Sequence, residues 1–326
     1  MHIAVIGAGN MGCLYGANLA RAGERVTLVD VWQEHVQAMQ EQGLHMEGLH
    51  GEFVAEVAAT TDPGEVSGVD LAIVYVNGYN THQATEAAGG MLAEEGCVLT
   101  LQNGLGNLEV LTEVVGEGRI VGGLTFHSAD LQAPGKVRHT NKGPTYLGEL
   151  DRNKTPRLET IRSAMERAGM QPLVEDGIIA TIWAKFVLNC SINPLCAIAD
   201  LRPGHIREVE AFDEFQSKII EEVLALIEAK GVVLADPDPL PTIKAYSAKK
   251  FHRVSMQQHL LRARPTEIDS LNGYVARESE RLGLKAPYND ALTRIVKGRQ
   301  YQPEGERKHI PESECCRDGW NGEFSI

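Results

Sequence analysis

Ile3-Ala4-Val5-Ile6-Gly7-Ala8-Gly9-Asn10-Met11-Gly12 is a four-residue apolar run that breaks straight into a G-x-G-x-x-G turn. The stretch after it, Met11–Ala22, has the apolar spacing of an amphipathic helix, so the whole reads as strand, turn, helix. Each glycine has a physical task. Gly7 permits the tight turn, Gly9 lets backbone approach a pyrophosphate, and Gly12 lets helix and strand pack closely. The unpaired N–H groups and the positive dipole end of the helix then suit an anion. In this context the spacing is a dinucleotide-binding fingerprint, and Gly7, Ala8, Gly9, Asn10, Met11 and Gly12 are its expected contacts. Asp30 lies 18 residues after Gly12, at the end of the apolar run Val26–Val29. A carboxylate there accepts the ribose hydroxyls of NAD and repels the extra phosphate of NADP, and Val31 and Trp32 bring no positive charge to offset it. This favours NAD(H), with Asp30 as a plain helix N-cap the competing reading.

Further apolar runs at Leu71–Val76, Cys97–Leu101 and Ile120–Thr125 alternate with helical stretches such as Gln33–Gln42. That alternation predicts an α/β fold, a Rossmann-type parallel sheet covered on both faces. The segment Gly135–Leu150, folded about Asn141-Lys142-Gly143-Pro144, predicts a hairpin closing the same sheet. Beyond Thr155 the texture changes. Pro156–Ala168, Ile179–Ile192, Val209–Lys230 and Glu267–Leu282 carry helical spacing and few strand runs. We therefore expect a dinucleotide-binding domain over 1–171, a mainly α-helical domain over 172–298 and a polar tail over 299–326. The tail holds Pro303, Pro311 and Cys315-Cys316. A metal site there using His309 has poor spacing, and no metal is expected.

Composition narrows the classes. A chain of 326 residues exceeds one ordinary domain and predicts two. Its 44 acidic against 31 basic residues give a net charge of −13, which repels nucleic acid. No apolar run approaches the ~20 residues of a membrane span, and the N-terminus has no leader pattern. The six Cys are scattered, which in a chain this size reads as reduced and cytoplasmic.

The helical half holds the most informative polar pattern. In Trp183-Ala184-Lys185-Phe186-Val187-Leu188-Asn189-Cys190-Ser191-Ile192-Asn193-Pro194, the residues Lys185, Asn189 and Asn193 recur at i, i+4 and i+8 and share one helix face. A cation and two amides on an otherwise apolar helix are costly to bury unless something polar meets them. An exposed polar stripe is the alternative. Ser255-Met256-Gln257-Gln258-His259 follows, then Arg264-Pro265-Thr266-Glu267-Ile268-Asp269-Ser270-Leu271-Asn272-Gly273. Thr266 and Asp269 look like a capping box. Glu267 alone reads as a solvated first-turn acid, and His127 and His139 as core or strand-end histidines.

Together these stretches resemble the 2-dehydropantoate 2-reductases, or ketopantoate reductases, over about residues 1–297. The glycine turn, Leu101-Gln102-Asn103-Gly104-Leu105-Gly106-Asn107, Gly122-Gly123-Leu124-Thr125-Phe126-His127-Ser128-Ala129, the W-x-K-x-x-x-N-x-x-x-N-P segment and the R-P-T-E-I-D-x-x-N-G segment carry the resemblance, with Ser255 twelve residues before Glu267. It implies an NAD(P)H-dependent reduction of ketopantoate to pantoate, on the way to pantothenate and coenzyme A, with substrate held in a cleft between two domains. It also implies that Lys185 donates the proton, that Asn189, Asn193 and Ser255 bind substrate, and that Asn103, Ala129 and Glu267 lie at the cofactor. Glu267 is assigned either to positioning Lys185 or to the nicotinamide ribose. A homodimer is implied as well.

Three departures stand out. Asp30-Val31 and Asn77 replace basic residues of the family, which agrees with NAD(H), although NADP(H) is the family's usual cofactor. Pro203, in Arg202-Pro203-Gly204-His205, replaces a substrate-contacting asparagine. That keeps open the same chemistry on a different 2-oxo acid, with Arg202 either a surface residue or a clamp for a further carboxylate. A non-catalytic dinucleotide-binding redox sensor is the remaining alternative, disfavoured by the intact lysine, asparagine, serine and glutamate set.

Overall fold

The computed structural model describes residues 1–49 and 51–301. The tail beyond 301, with its Cys315-Cys316 pair and His309, lies outside them. The described residues form two compact units, one of Met1–Gln102 with Gly106–Ile179, the other of Asn103–Leu105 with residues 180–301.

The first unit contains strands β1 (His2–Ile6), β2 (Arg25–Val29), β3 (Leu44–Gly48), β4 (Phe53–Ala55), β5 (Ala58–Thr60), β6 (Val69–Val74), β7 (Leu92–Thr100), β8 (Ile120–Thr125), β9 (Ser128–Ala133), β10 (Lys136–Asn141), β11 (Thr145–Glu149) and β12 (Pro172–Val174). Its helices are α1 (Asn10–Arg21), α2 (Gln33–Gln42), α3 (Thr81–Met91), α4 (Asn107–Val115) and α5 (Pro156–Arg167). Eight strands make one sheet in the order β12-β11-β8-β7-β6-β1-β2-β5, parallel except where β11 meets β8. All five residues of β1 are buried, as they must be in a strand covered on both faces. The chain builds outward from β1 to β2 and β5, then returns to add β6 on β1's other side. The strand order therefore reverses beside β1, the place where open α/β sheets bind ligands at their carboxyl ends.

Two expectations need correction here. The segment 135–150 does not form a hairpin in the main sheet. β10 pairs with β9 and β3 in a separate sheet of order β4-β3-β10-β9, while β11 pairs with β8 and β12. The connection is turned by Phe126. Its backbone N–H donates to Pro144 O at 3.0 Å, and its carbonyl accepts from Asn141 Nδ2 at 2.7 Å, so the strands on either side leave in different sheets. Secondly, the first unit runs past residue 171. The three-residue β12 pairs with β11, and Glu175 N donates to Leu147 O at 2.8 Å, which keeps 172–179 with the first sheet.

The second unit is helical, as expected. It holds most of α6 (Ile178–Ala199), then α7 (Glu210–Ala229), α8 (Pro239–Ser247), α9 (Ser255–Leu261), α10 (Asn272–Arg281) and α11 (Pro287–Gln300). α11 carries regular structure to Gln300, two residues past the expected end of the domain. By length and composition α6 does suffice to span a membrane, contrary to the sequence-based expectation. Most of it is buried among its neighbours, with Trp183, Phe186, Val187, Ile192 and Leu195 in the unit's apolar core. The apolar stripe of α7 (Ile219, Ile220, Val223, Leu226) is consumed in the same core.

Pro194 sits inside α6 and cannot donate to the carbonyl four residues back, that of Cys190. Asn272 replaces the missing donor. Its Nδ2 reaches Cys190 O at 3.0 Å and Asn289 Oδ1 at 2.9 Å. Asn289 Nδ2 in turn donates to Glu222 Oε2 at 2.7 Å, so one polar relay ties α6, α10, α11 and α7. The sequence pairs N-P and N-G thus answer each other through one hydrogen bond.

Candidate active site

In the first unit, the glycine turn leaves β1 and enters α1. Gly7 has φ +95°, and a Cβ there would stand 2.9 Å from the Tyr75 carbonyl. A Cβ on Gly12 would stand 2.0 Å from Gly7 O, so α1 lies on the turn at a distance only glycine allows. Gly9 differs. A Cβ there would meet nothing within 4 Å, and the residue is exposed. α1 has no side-chain cap and no acid in its first turn. A helix start with open N–H groups and no negative charge of its own fits a pyrophosphate.

Asp30 ends β2 and faces this turn. Its Oδ2 accepts from Ala8 N at 2.7 Å and its Oδ1 from Trp32 N at 2.9 Å. Trp32, not Asp30, takes the N-cap position of α2, so the N-cap alternative fails. Asn10 opens α1 and its Oδ1 accepts from Leu131 N at 3.0 Å, while Met11 packs half-buried against the core. Ala8 and Ala129 are both buried, Ala129 in β9 opposite His139. Behind the turn lie two residues no motif flagged. Cys13 Sγ donates to Ala8 O at 3.0 Å, and His35 Nε2 lies 2.8 Å from the same oxygen. Only the buried face of α2 (His35, Val36, Met39) hinted at that position.

In the second unit, Lys185 lies on α6, the helix whose Trp183 and Phe186 pack edge-on with each other and with Tyr274. Its Nζ donates to Asn103 Oδ1 at 2.9 Å, and Asn103 Nδ2 donates to Glu267 Oε2 at 3.1 Å. The asparagine amide thus links the ammonium to the carboxylate. Asn103 reaches this place because Gly104, at φ +81°, lets its segment lie on the 3-10 turn Ile268–Ser270. A Cβ there would come 2.5 Å from Ser270 O, and Leu105 N donates to that oxygen at 3.0 Å. Glu267 directly precedes this turn and is half-buried, not a solvated first-turn acid. The Thr266/Asp269 capping box does not form. Thr266 Oγ1 accepts weakly from Ile268 N at 3.4 Å, and α10 starts only at Asn272.

Burial pushes the Lys185 ammonium down to about 8, and the nearby Glu267 carboxylate opposes that shift. His259, on α9, also feels Glu267 and is held below the usual histidine value mainly by burial. No pattern in the sequence marked it. Asn189 is half-buried and Asn193 is buried on the face of α6 that bears Lys185. Ser255 is exposed at the first position of α9. Lys185, Asn103 and Glu267 are therefore joined by hydrogen bonds, whereas Ser255 makes none with them among the described residues. His127 and His139 form a buried pair, Nδ1 to Nε2 at 3.0 Å, in the first unit's interior.

A half-buried lysine of lowered pKa, oriented by an amide and a carboxylate, has the chemistry of a proton donor, and a helix-opening glycine turn has the chemistry of an anion site. Comparison with known proteins identifies the family. The ketopantoate reductase PanE/ApbA model matches residues 3–152, and its C-terminal model matches 177–300. The chain belongs to the ketopantoate reductase family. It is thus a nicotinamide-dependent oxidoreductase acting on a CH–OH/C=O group. It is 32% identical over 301 residues to a 2-dehydropantoate 2-reductase of Pyrococcus horikoshii, covering 92% of this chain and 98% of the relative. A relative of the same name from Halobacterium salinarum is 30% identical, with 91% and 98% covered. Among solved structures, a PanE/ApbA family ketopantoate reductase of Ralstonia eutropha superposes with a TM-score of 0.84 at 31% identity, covering 92% and 98%. D-mandelate dehydrogenase with NADH and anilino(oxo)acetate gives 0.83 at 28% identity over the same shares.

Proposed function

We propose that this chain reduces a small 2-oxo acid to its 2-hydroxy acid, ketopantoate to pantoate in the first instance, with NADH as the preferred reductant. The reduced nicotinamide, when bound, supplies hydride to the carbonyl carbon. Negative charge then grows on the carbonyl oxygen, and the Lys185 ammonium stabilises it and donates the proton. Asn103 holds that ammonium in place and Glu267 keeps it charged. Asn189 and Asn193 read the substrate's hydroxyl and carbonyl groups, since no described protein group hydrogen-bonds their amides, and Ser255 takes part in carboxylate binding. The observation that carries the reading is the Lys185–Asn103–Glu267 chain of hydrogen bonds; a mere redox sensor has no use for it.

Asp30 supports NADH over NADPH. Its carboxylate, fixed by the N–H groups of Ala8 and Trp32, presents negative charge beside the glycine turn. Gly7, Gly9 and Gly12, with Ala8, Asn10 and Met11, form the pyrophosphate turn, and Ala129 on β9 lies at the cofactor. The four described cysteines are free and buried, in keeping with a reducing cytoplasm. A homodimer rests on family membership alone, and sedimentation tests it. A second reading, another 2-oxo acid, is favoured by Pro203 in the place of a family asparagine and by the D-mandelate dehydrogenase neighbour. Steady-state rates for ketopantoate and for branched and aromatic 2-oxo acids, each with NADH and NADPH, separate these. Fastest turnover of ketopantoate with NADH is expected. A strong NADPH preference defeats the cofactor reading, and a much faster second acid defeats the substrate reading.

A further inference from the structure

The peptide between Ala8 and Gly9 is held from behind with unusual completeness. Its carbonyl oxygen lies 2.8 Å from His35 Nε2 and 3.0 Å from Cys13 Sγ, and the Ala8 N–H on the preceding peptide is taken by Asp30. A carbonyl only accepts, so Nε2 of His35 carries a hydrogen. The other ring nitrogen is equally constrained, because Gly135 N donates to His35 Nδ1 at 2.9 Å. His35 is therefore neutral and fixed in one tautomer, with Trp32 stacked on its ring at 5.1 Å. A trans peptide points its N–H opposite to its C=O. Drawing Ala8 O inward to His35 thus turns the Gly9 N–H outward, on the residue whose Cβ position is open space.

We propose that His35 is a positioning residue for the cofactor: in its neutral form it sets the Ala8–Gly9 peptide so that the Gly9 N–H faces the pyrophosphate, and protonation of His35 weakens cofactor binding. This rests on the dinucleotide reading of the first unit. A second proton would sit on Nδ1 and face the Gly135 N–H, donor against donor, so the cationic ring must leave its place. The groups around it are few. Asp30, at the end of β2, favours the cation, whereas burial disfavours it more and leaves the pKa below the ordinary histidine value. Cys13 on α1 is a buried thiol pushed far up and stays protonated. Lys136, next to Gly135, is paired with Glu47 at 3.2 Å, and His45 on β3 meets Gly135 through its backbone N–H. Glu34, on α2 itself, is exposed.

Calorimetric titration of the full chain with NAD+ from pH 7.5 to 5.5 tests this, with His35→Gln beside the wild type. Glutamine keeps an amide N–H for Ala8 O and does not titrate. The wild-type Kd should rise roughly fivefold as His35 becomes charged, the size of one net hydrogen bond, while His35→Gln should bind more weakly at pH 7.5 and show no such rise. Linkage gives a second readout on the unmodified protein. By nitrogen NMR, His35 should titrate at lower pH with saturating NAD+ than without it. A His35→Gln profile parallel to the wild type, or a His35 midpoint unmoved by NAD+, would overturn the proposal. A wild type that binds neither NAD+ nor NADP+ would overturn the dinucleotide reading instead.

Discussion

The glycine turn of the first unit and the lysine site of the second are built on opposite plans. The turn is a backbone device whose elements are neighbours in sequence. What matters there is the absence of side chains at Gly7 and Gly12 and the supports of Ala8 from behind. The lysine site is a side-chain device assembled from α6, the loop at Asn103 and the turn after Glu267, 82 and 164 positions apart across its two bonds. Its helices are tied by buried amides, Asn272 answering the carbonyl that Pro194 leaves without a donor. A backbone device tolerates little addition of atoms. A side-chain device tolerates little removal.

Substitutions break the two plans in different ways. The largest effect should fall on the lysine. Lys185→Ala should lower kcat at least ~100-fold, as loss of a general acid does, with the melting temperature kept, since removing a buried ammonium leaves no unpaired charge except the partly exposed Glu267. Next, Gly12→Ala drives a methyl into Gly7 O and should cost roughly 1–3 kcal/mol of stability, read as a lower Tm, with cofactor binding lost. Gly9→Ala is the control. Its methyl enters open space, so Tm should hold while the Kd for NADH rises. The smallest effect belongs to Asp30→Asn. Removing one charge beside the turn should raise the NADPH/NADH ratio of kcat/KM by roughly tenfold, the size of a solvent-screened Coulomb contact of about 1.4 kcal/mol.

The same contrast explains what could be read from the sequence. The turn was legible as a strand–glycine–helix pattern, because Gly12 meets only Gly7 and Val5, although the Tyr75 carbonyl that also confines Gly7 lies far along the chain. So was the polar face of α6, because helical period alone puts Lys185, Asn189 and Asn193 together. Asn103 was identifiable by resemblance, but its bond to Lys185 depends on Gly104 lying against Ser270, which no local pattern encodes. His35 was invisible for the same reason: the bond that fixes its Nδ1 comes from a residue 100 positions away. The misplaced hairpin failed differently. The residues 141–144 have genuine turn chemistry, but Phe126 uses that turn to send the flanking strands into separate sheets rather than to pair them. A strand as short as β12 left no periodicity to mark the end of the first unit.

The Lys185 ammonium, lowered by burial and held up by Glu267, is the proposed proton donor. This role is tested most directly by the pH dependence of kcat for ketopantoate reduction in the wild type and in Glu267→Gln. The donor must be protonated, so kcat should fall as pH rises through about 8. Without the carboxylate that favours the cation, Glu267→Gln should fall at lower pH. A wild-type profile flat from pH 7 to pH 10, or a limb that Glu267→Gln leaves in place, would contradict it.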